Sequence, residues 1–408
     1  MHILFLTDNF PPEVNAPASR TFEHCREWVN AGHQVTVITC FPNFPSGQVY
    51  EGFQNTLRPV HEEKDRIKII RVWSYITANN GFIKRTLDYI SFMVSSILFS
   101  SKVHKVDVVI GTSPQFFTSC AAYIVGLFKR VPFIFELRDL WPESIRAVGA
   151  IKNKRLLWVL ERMELYLYRR SKLIVSVTRS FKGNLIKRGI DGSKIKVVTN
   201  GVDLTRFTPH EKDERLIREF GVKNKFVAGY IGTHGMAHSL ETVLEAGQLL
   251  MEWGETDIQL ILLGDGARKK DLQKRAEVAK IKNLIFIPSV TKEQVPKYWS
   301  ILNAAIIHLK NDPTFETVIP SKLFECMGMG LPVLHGVRGE SAQIVKQSEV
   351  GIVFDPENAK QLAEAIIKLR DDQQFAESCR IRSRTAAKKY DRKKKAKQML
   401  SELTRLLK

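Results

Sequence analysis

The chain has 408 residues, 44% of them hydrophobic and 26% charged, and carries a net charge of +19 at pH 7 with a pI near 9.7. That length and balance describe an ordinary globular protein with core enough for two domains or more. The charge suits nucleic acid, acidic lipid or phosphate-bearing substrates, and the absence of any basic-aromatic nucleic-acid module sets nucleic acid aside.

Met1 opens directly into an apolar run with no basic stretch before it, so no signal peptide is expected and the chain is placed in the cytoplasm. Cys25, Cys40, Cys120, Cys326 and Cys379 are odd in number, scattered and free of CxxC spacing. They read as buried or free thiols in a reducing compartment, not as a metal site. His234 and His238 lie four apart, but no glutamate follows the first, so there is no HExxH. No Asp-Xaa-Asp triad, GxxxxGK loop or GxSxG elbow occurs. No metal or cofactor is expected.

In chain order, short apolar strands are predicted at 2–7, 35–40, 67–73, 107–111, 132–137, 172–177 and 195–199, most of them separated by helix-length segments. That is the pattern of a parallel sheet buried on both faces. The plan repeats at 226–231, 258–263, 284–288, 303–309, 331–335 and 350–354. A polar, strand-poor segment at about 203–224 is the expected linker. Two doubly wound α/β domains follow, 1–204 and 205–384, with ligands expected in the cleft at their strand C-termini. A basic final helix is predicted over about 375–408.

Residues 81–105 contain an apolar run, Tyr89 to Phe99, too short and too polar to span a bilayer. It reads either as a core helix or as an interfacial helix resting on anionic lipid. In the second case Lys84, Arg85, Lys102 and Lys105 meet headgroups, and Phe92 and Phe99 face the membrane. The cluster at 155–172 mixes Trp158, Tyr166 and Tyr168 with arginines and is a candidate for the same surface.

Several loops carry candidate chemistry. The loop from Asp8 to Pro17 has no glycine, which excludes a GxGxxG dinucleotide fingerprint. The segment from Glu136 to Ser144 closes a strand, where charged and aromatic residues face a cleft more often than a core. There Arg138–Asp139 is either a simple salt bridge or places Asp139 against an attacking hydroxyl. Gly232-Thr233-His234-Gly235 follows the first strand of the second domain, and its glycines let backbone approach a ligand closely. Gly264-Asp265-Gly266 closes the next strand and is a weak signal by itself.

The stretch 315–336 gathers the most chemistry. A helix is predicted from about Lys322, capped by Ser321, its N-terminus attractive to an anion. Lys322 in the first turn runs against helix-dipole preference unless a phosphate is held there. Glu325 lies one turn further in, suited to sugar hydroxyls, and Glu316 supplies a second carboxylate from the loop. The plain alternative is a capped helix with a surface lysine.

This stretch resembles the donor-sugar motif of family 4 glycosyltransferases of the GT-B fold, two glutamates separated by seven residues and then a Gly-Xaa-Pro segment. Glu325 and Gly330-Leu331-Pro332 match; Glu316 stands nine residues before Glu325, one out of register, and Thr317 occupies the position eight before it. The first loop resembles that family's Pro-Pro loop, with Asn15-Ala16-Pro17 in place of glycines, and Asn200-Gly201-Val202-Asp203 resembles its turn before the linker. Many relatives hold the donor diphosphate with an Arg and a Lys after the first strand of the second domain. Here Thr233, His234 and His238 stand in that region, and Lys322 is the candidate for the missing charge.

The resemblance implies two Rossmann-like domains facing a cleft, with the C-terminal helix at about 385–408 crossing back to the first. Within the family the combination is most similar to O-antigen and capsule enzymes, L-fucosamine transferases among them. That implies a UDP-linked N-acetylated deoxysugar as donor and a sugar on undecaprenyl diphosphate as acceptor, at the inner face of the cell membrane. The implied donor site is Gly232, Thr233, His234, His238, Gly264, Asp265, Thr317, Val318, Ser321, Lys322 and Glu325. Asn15, Ala16, Arg138 and Asp139 make up the acceptor side, and Lys322, Glu316 and Asp139 are the expected catalytic residues. A non-hydrolysing UDP-sugar epimerase of the same architecture, or a non-enzymatic basic binder, are the rival readings.

Overall fold

The computed structural model describes residues 1–44, 46–77, 82–143, 146 and 153–407. The chain forms two compact units, one of Met1–Thr199 with Arg392–Lys408, the other of Asn200–Asp391.

The first unit runs β1 (His2–Leu6), α1 (Ala16–Asn30), β2 (Gln34–Cys40), β3 (Val60–Lys64), β4 (Ile67–Val72), α2 (Phe82–Ser100), β5 (Val108–Thr112), α3 (Phe116–Lys129), β6 (Phe133–Leu137), α4 (Lys154–Arg170), β7 (Leu173–Ser176), α5 (Arg179–Lys187) and β8 (Ile195–Val197). Its sheet has the order β3-β4-β2-β1-β5-β6-β7-β8, parallel except for β3. β5 and β6 are buried along their whole length, because helices cover both faces of a parallel sheet. β3 escaped the sequence reading for the opposite reason: VHEEK is a polar, mostly exposed edge strand with no apolar run to announce it.

The second unit contains α6 (Glu214–Glu219), β9 (Phe226–Ile231), α7 (Glu241–Glu252), β10 (Ile258–Leu263), α8 (Lys269–Val278), β11 (Leu284–Ile287), α9 (Val295–Ser300), β12 (Ala304–His308), α10 (Lys322–Gly328), β13 (Val333–Gly336), α11 (Glu340–Ser348), β14 (Gly351–Val353), α12 (Ala359–Asp371) and α13 (Gln373–Ala387). The sheet is parallel throughout, in the order β11-β10-β9-β12-β13-β14. The chain winds outward from β9 one way and from β12 the other, so a crevice opens beyond the C-termini of these two neighbours. In the first unit the same reversal lies between β1 and β5.

Two expectations are corrected. The final basic helix is two: α13 ends at Ala387, and α14 (Arg392–Leu407) begins after a 3-10 turn, Lys388–Tyr390, and the single bridge residue Asp391. The break has a cause, since Val202 donates to the Tyr390 carbonyl at 2.9 Å and forms a β-bridge with Asp391. α14 belongs to the first unit, where Ala396, Met399 and Leu403 are fully buried and the Trp28 indole donates to the Ala396 carbonyl. The segment at 203–224 is no loose linker, because Phe207, Leu216 and Val222 sit in the core of the second unit.

On α2, Phe92 is not membrane-facing: it is 1% exposed and belongs to the core. Phe99 is half-buried, with the Lys102 ammonium 5.4 Å above its ring. The outward stripe is Lys84, Leu87, Val94 and Leu98, at spacings of three, seven and four that keep one helical face. Arg85, Lys102 and Lys105 are exposed as expected. Gly81, at the start of the predicted run, and Ser144 lie outside the described residues.

Candidate active site

The residues that the sequence singled out in the second unit follow the C-terminal ends of β9, β10 and β12, with Lys322 and Glu325 on α10. After β9 the chain passes Gly232 to Gly235 into a short 3-10 turn, Met236–His238. Gly232 and Gly264 are obligatory. Each has positive φ; a Cβ on Gly264 would lie 1.9 Å from the Gly232 carbonyl oxygen, and one on Gly232 2.6 Å from the Lys322 Nζ. Two turns are thus pressed together with the lysine head laid on their backbone.

Lys322 is the unusual group here. Its Nζ lies 3.7 Å above the Tyr230 ring centroid and, though buried, has no hydrogen-bond partner among the described residues. Burial without an anionic partner pulls its pKa down to about 7, against the pull of Cys326 and Glu325. Tyr230 is fully buried and fixed by a 2.8 Å bond from its hydroxyl to the Thr233 carbonyl. The sequence reading gave Tyr230 no role, although an aromatic two residues before Gly232 was an available signal.

The two histidines complete the arrangement. His234 is fully buried and neither ring nitrogen has a partner; the His238 Nδ1 is likewise buried and unpartnered. Burial, aided by nearby lysines, lowers His234 to about 4 and His238 to about 3, so both rings are neutral at pH 7. On the β10 side, Lys269 donates to the Gly264 carbonyl at 2.8 Å, and the Asp265 side chain turns back to the Gly266 amide.

Beyond β12 a 3-10 turn, Pro313–Thr317, carries Glu316 and Thr317. Asp312 caps it through the Thr314 amide, and Thr317 closes it on the Thr314 carbonyl at 2.7 Å. Glu316, Thr317 and Val318 are half-buried. Gly339, just before α11, packs onto this turn so closely that a Cβ would meet the Glu316 carbonyl oxygen at 1.9 Å. Ser321 does not cap α10: it has helical angles and makes no capping bond. The turn starts earlier, with the Leu323 and Phe324 amides donating to the carbonyls of Pro320 and Ser321. Any attraction for an anion here would therefore come from the Lys322 head and the rings, not from a free helix end. Glu325 follows, half-buried, in the first turn of α10.

A crevice at a sheet reversal, glycine-lined, and holding an uncompensated lysine beside two neutral imidazoles is suited to an anionic diphosphate. The comparisons give the family. The model of "Glycosyltransferase Family 4" matches residues 18–206 and that of "Glycosyl transferases group 1" residues 212–389. The chain belongs to the family 4 glycosyltransferases of GT-B architecture. It is similar to the colanic acid biosynthesis glycosyl transferase WcaI of Escherichia coli, 25% identical over 343 residues, covering 81% of this chain and 82% of that protein. Among solved structures it resembles sucrose-phosphate synthase from Thermosynechococcus elongatus, with TM-score 0.80, 14% identity and 99% and 98% of the two chains covered. It also resembles Anabaena HepE in complex with UDP and glucose, with TM-score 0.75, 15% identity and 99% of each chain covered.

In the first unit of this glycosyltransferase, the amides of Arg138 and Asp139 converge on the Ser113 hydroxyl at 2.8 and 3.2 Å, just past β5 and β6. Arg138 also donates to the Pro17 carbonyl, and burial lowers its pKa to about 10. Asn15 caps α1 through the Ala18 amide and donates to Asn9, while Ala16 is exposed. Two neighbours do not face solvent as expected. Glu136 is buried in an ion pair with Arg20, and Trp141 stacks on Phe116 at 4.5 Å. Three carboxylates were missed. Glu13 accepts the Asn43 and Phe44 amides, both at 2.9 Å, and burial lifts its pKa to about 7. Burial also raises Asp88, to about 6, and Asp8. Asp8 and Glu13 lie in the first loop and Asp88 in the apolar run, both singled out for other features, and burial, which the sequence does not show, is what sets these acids apart.

Proposed function

We propose that this glycosyltransferase moves an N-acetylated deoxysugar, L-FucNAc by our reading, from a UDP-sugar to a sugar carried on undecaprenyl diphosphate, in O-antigen or capsule synthesis. The observation that carries the donor half is the buried, unpartnered Lys322 ammonium over Tyr230 in the crevice beyond β9 and β12. Lys322, with His234 and His238, binds the diphosphate and stabilises the charge that grows as UDP leaves. Glu325 anchors the ribose. Glu316, Thr317 and Val318 orient the sugar, Gly232, Thr233, Gly264 and Asp265 line the nucleotide, and Ser321 stands beside Lys322. On the acceptor side Asp139 contacts the attacking hydroxyl, with Arg138, Asn15 and Ala16 around it. The acceptor oxygen bonds to the anomeric carbon as the bond to the β-phosphate oxygen breaks. UDP departs with that electron pair, and its phosphate takes the acceptor's proton, with retention of configuration. The reading needs no metal, and among the described residues no cluster of three or more His, Cys, Asp or Glu side chains is placed to hold one.

Calorimetry with UDP, followed by a donor screen against a lipid-diphosphate sugar acceptor with and without EDTA, tests this. UDP binding and EDTA-resistant transfer are expected. A new UDP-sugar made without acceptor would turn the reading to an epimerase, and no UDP binding would remove it.

A lipid-linked acceptor requires the enzyme to come to the inner leaflet. No helix among the described residues is long and apolar enough to cross a membrane. The stripe Lys84, Leu87, Val94 and Leu98 on α2, with exposed Trp158, Met163 and Tyr166 on α4, is the surface we assign to lipid. Arg162 and Arg170 lie over the Trp158 and Tyr166 rings. Each basic residue near an anionic leaflet contributes about 1 kcal/mol. Replacing Lys84, Arg85, Lys102 and Lys105 with glutamate should lower flotation with anionic vesicles and slow transfer to the lipid acceptor, while sparing a short soluble acceptor. Wild-type flotation by that variant would sink the assignment.

A further inference from the structure

Outside the groups given a role above, three loops of the second unit meet at one exposed carboxylate. Glu357 lies between β14 and α12 with φ of 63°, a left-handed angle that a non-glycine residue seldom adopts without a local reason. Its Oε1 accepts the Ser239 hydroxyl at 2.5 Å and its Oε2 the Asn311 amide at 3.0 Å. Ser239, directly after the His238 turn, is also left-handed, with φ of 42°. The Lys310 amide donates to the Ala237 carbonyl at 2.9 Å. The loops after β9, β12 and β14 are thereby fastened to one another.

Beneath the carboxylate sits His308, the last residue of β12 and 1% exposed. The Glu357 amide donates to its Nε2 at 2.9 Å, and its Nδ1 lies 2.8 Å from the His238 carbonyl. An amide donates and a carbonyl accepts, so the ring must be neutral with its proton on Nδ1. Burial lowers its pKa, which favours the same form. The ring is clamped flat against Phe354, at 5.9 Å and 11°. A Cβ at Gly336 would stand 2.5 Å from both of these rings.

We infer that Glu357 and His308 are positioning residues for the diphosphate contact. Glu357 fixes His308 and Ser239, and His308 holds the His238 carbonyl so that the His238 ring keeps its place beside Lys322. Neither touches the nucleotide. The inference rests on the donor site proposed above and adds the residues that set its geometry.

Two readouts keep the claims separate. Hydrogen exchange over residues 233–242 in the ligand-free protein reads the fastening directly. Affinity for UDP reads its consequence, with Lys322→Ala as the control for the site itself. Glu357→Ala, at an exposed position, should speed exchange in that segment and weaken UDP about fivefold to tenfold, as expected for loss of one or two good hydrogen bonds. His308 offers a sharper comparison. Asparagine puts a donor where Nδ1 stands and keeps the bond to His238; glutamine reaches toward the Nε2 position and loses it. His308→Asn should hold UDP affinity within about twofold, and His308→Gln should resemble Glu357→Ala. A role in packing alone predicts the reverse order, because glutamine fills the space better. Unchanged exchange in Glu357→Ala, or glutamine outperforming asparagine, overturns the inference. So does faster exchange with unaltered UDP affinity while Lys322→Ala binds poorly. If neither wild type nor Lys322→Ala responds to UDP, the donor reading fails, and the exchange data still decide whether the fastening exists.

Discussion

Two buried cations of this chain have opposite surroundings. Arg20, on α1, reaches the Glu136 carboxylate at 3.0 Å and also donates to the carbonyls of Val198 and Thr199. Lys322, on α10, has an aromatic face, two neutral imidazoles and no hydrogen-bond partner among the described residues. Burying a charge is tolerable when it is paired and costly when it is not. The first arrangement pairs its charges and holds the strand ends around β6 and β8, although the Glu136 Oε2 has no hydrogen-bond partner among the described residues. The second leaves a charge unpaired, and under the donor reading proposed above an anion would pair it. A buried ion pair and a binding site can draw on similar residues, and the unmet valence tells them apart.

The largest effect should follow from breaking the paired arrangement. Arg20→Met strands Glu136 in the core and should cost about 3–5 kcal/mol of stability, read by urea or thermal unfolding. Adding Glu136→Leu should restore much of that loss, though the Val198 and Thr199 carbonyls stay unpaired. If Arg20→Met unfolds like wild type, the pair is not structural and the contrast collapses.

Lys322→Met should do the reverse. Removing a lone buried ammonium leaves no stranded partner, so unfolding should be unchanged or slightly harder. Turnover should fall about 10²–10³-fold, the usual loss when one charge-stabilising contact to a departing anion is removed. A variant that keeps more than half the wild-type rate would place the diphosphate elsewhere.

The same lysine sets a pH signature. Its pKa is about 7 folded, against an ordinary 10.5 unfolded, so between those values the unfolded chain binds the extra proton. Stability of the free protein therefore carries the full burial cost below pH 7 and gains from this group as pH rises from 7 towards 10.5. A diphosphate reverses the balance by favouring the charged amine. UDP binding at pH 8 should take up a proton, visible as buffer-dependent heat in calorimetry. The uptake should vanish near pH 6 and in Lys322→Met. His234 and His238, lowered to about 4 and about 3, titrate too far below this window to imitate it. Heats independent of buffer at pH 8 would mean that Lys322 is already charged in the free protein.

The contrast also explains what could be read from the sequence. Buried parallel strands announce themselves as apolar runs, and most of the predicted ones formed within a residue or two of their expected ends. Lys322, His234, His238 and the glycine turns were legible because strand-to-helix loops at a sheet reversal concentrate ligand contacts. What stayed hidden depends on partners distant in sequence. Glu136 reads like a cleft residue until Arg20, 116 positions away, is seen beside it. Phe92 reads like a lipid anchor until the α2 face that it occupies turns inward. Glu357 sits in an unremarkable polar loop, 49 residues from the histidine that it steadies.

The smallest expected effects concern the two glutamates, and they test how finely the incomplete site is divided. Glu325→Ala should weaken UDP about tenfold, as loss of a carboxylate acceptor to a ribose hydroxyl. Glu316→Ala should leave UDP affinity within about twofold and lower sugar transfer by a similar tenfold, because the Glu316 turn lies beyond β12, apart from the glycine turns to which we assign the nucleotide. The structure supplies an independent handle on the second case. Gly339 has φ of 78° and no room for a Cβ against the Glu316 carbonyl, so Gly339→Ala must push that turn away. It should therefore reproduce Glu316→Ala: UDP still bound, transfer impaired. If Gly339→Ala and Glu316→Ala both weaken UDP as much as Glu325→Ala does, the turn contacts the nucleotide itself, and the assignment of Glu316 to the sugar must be given up.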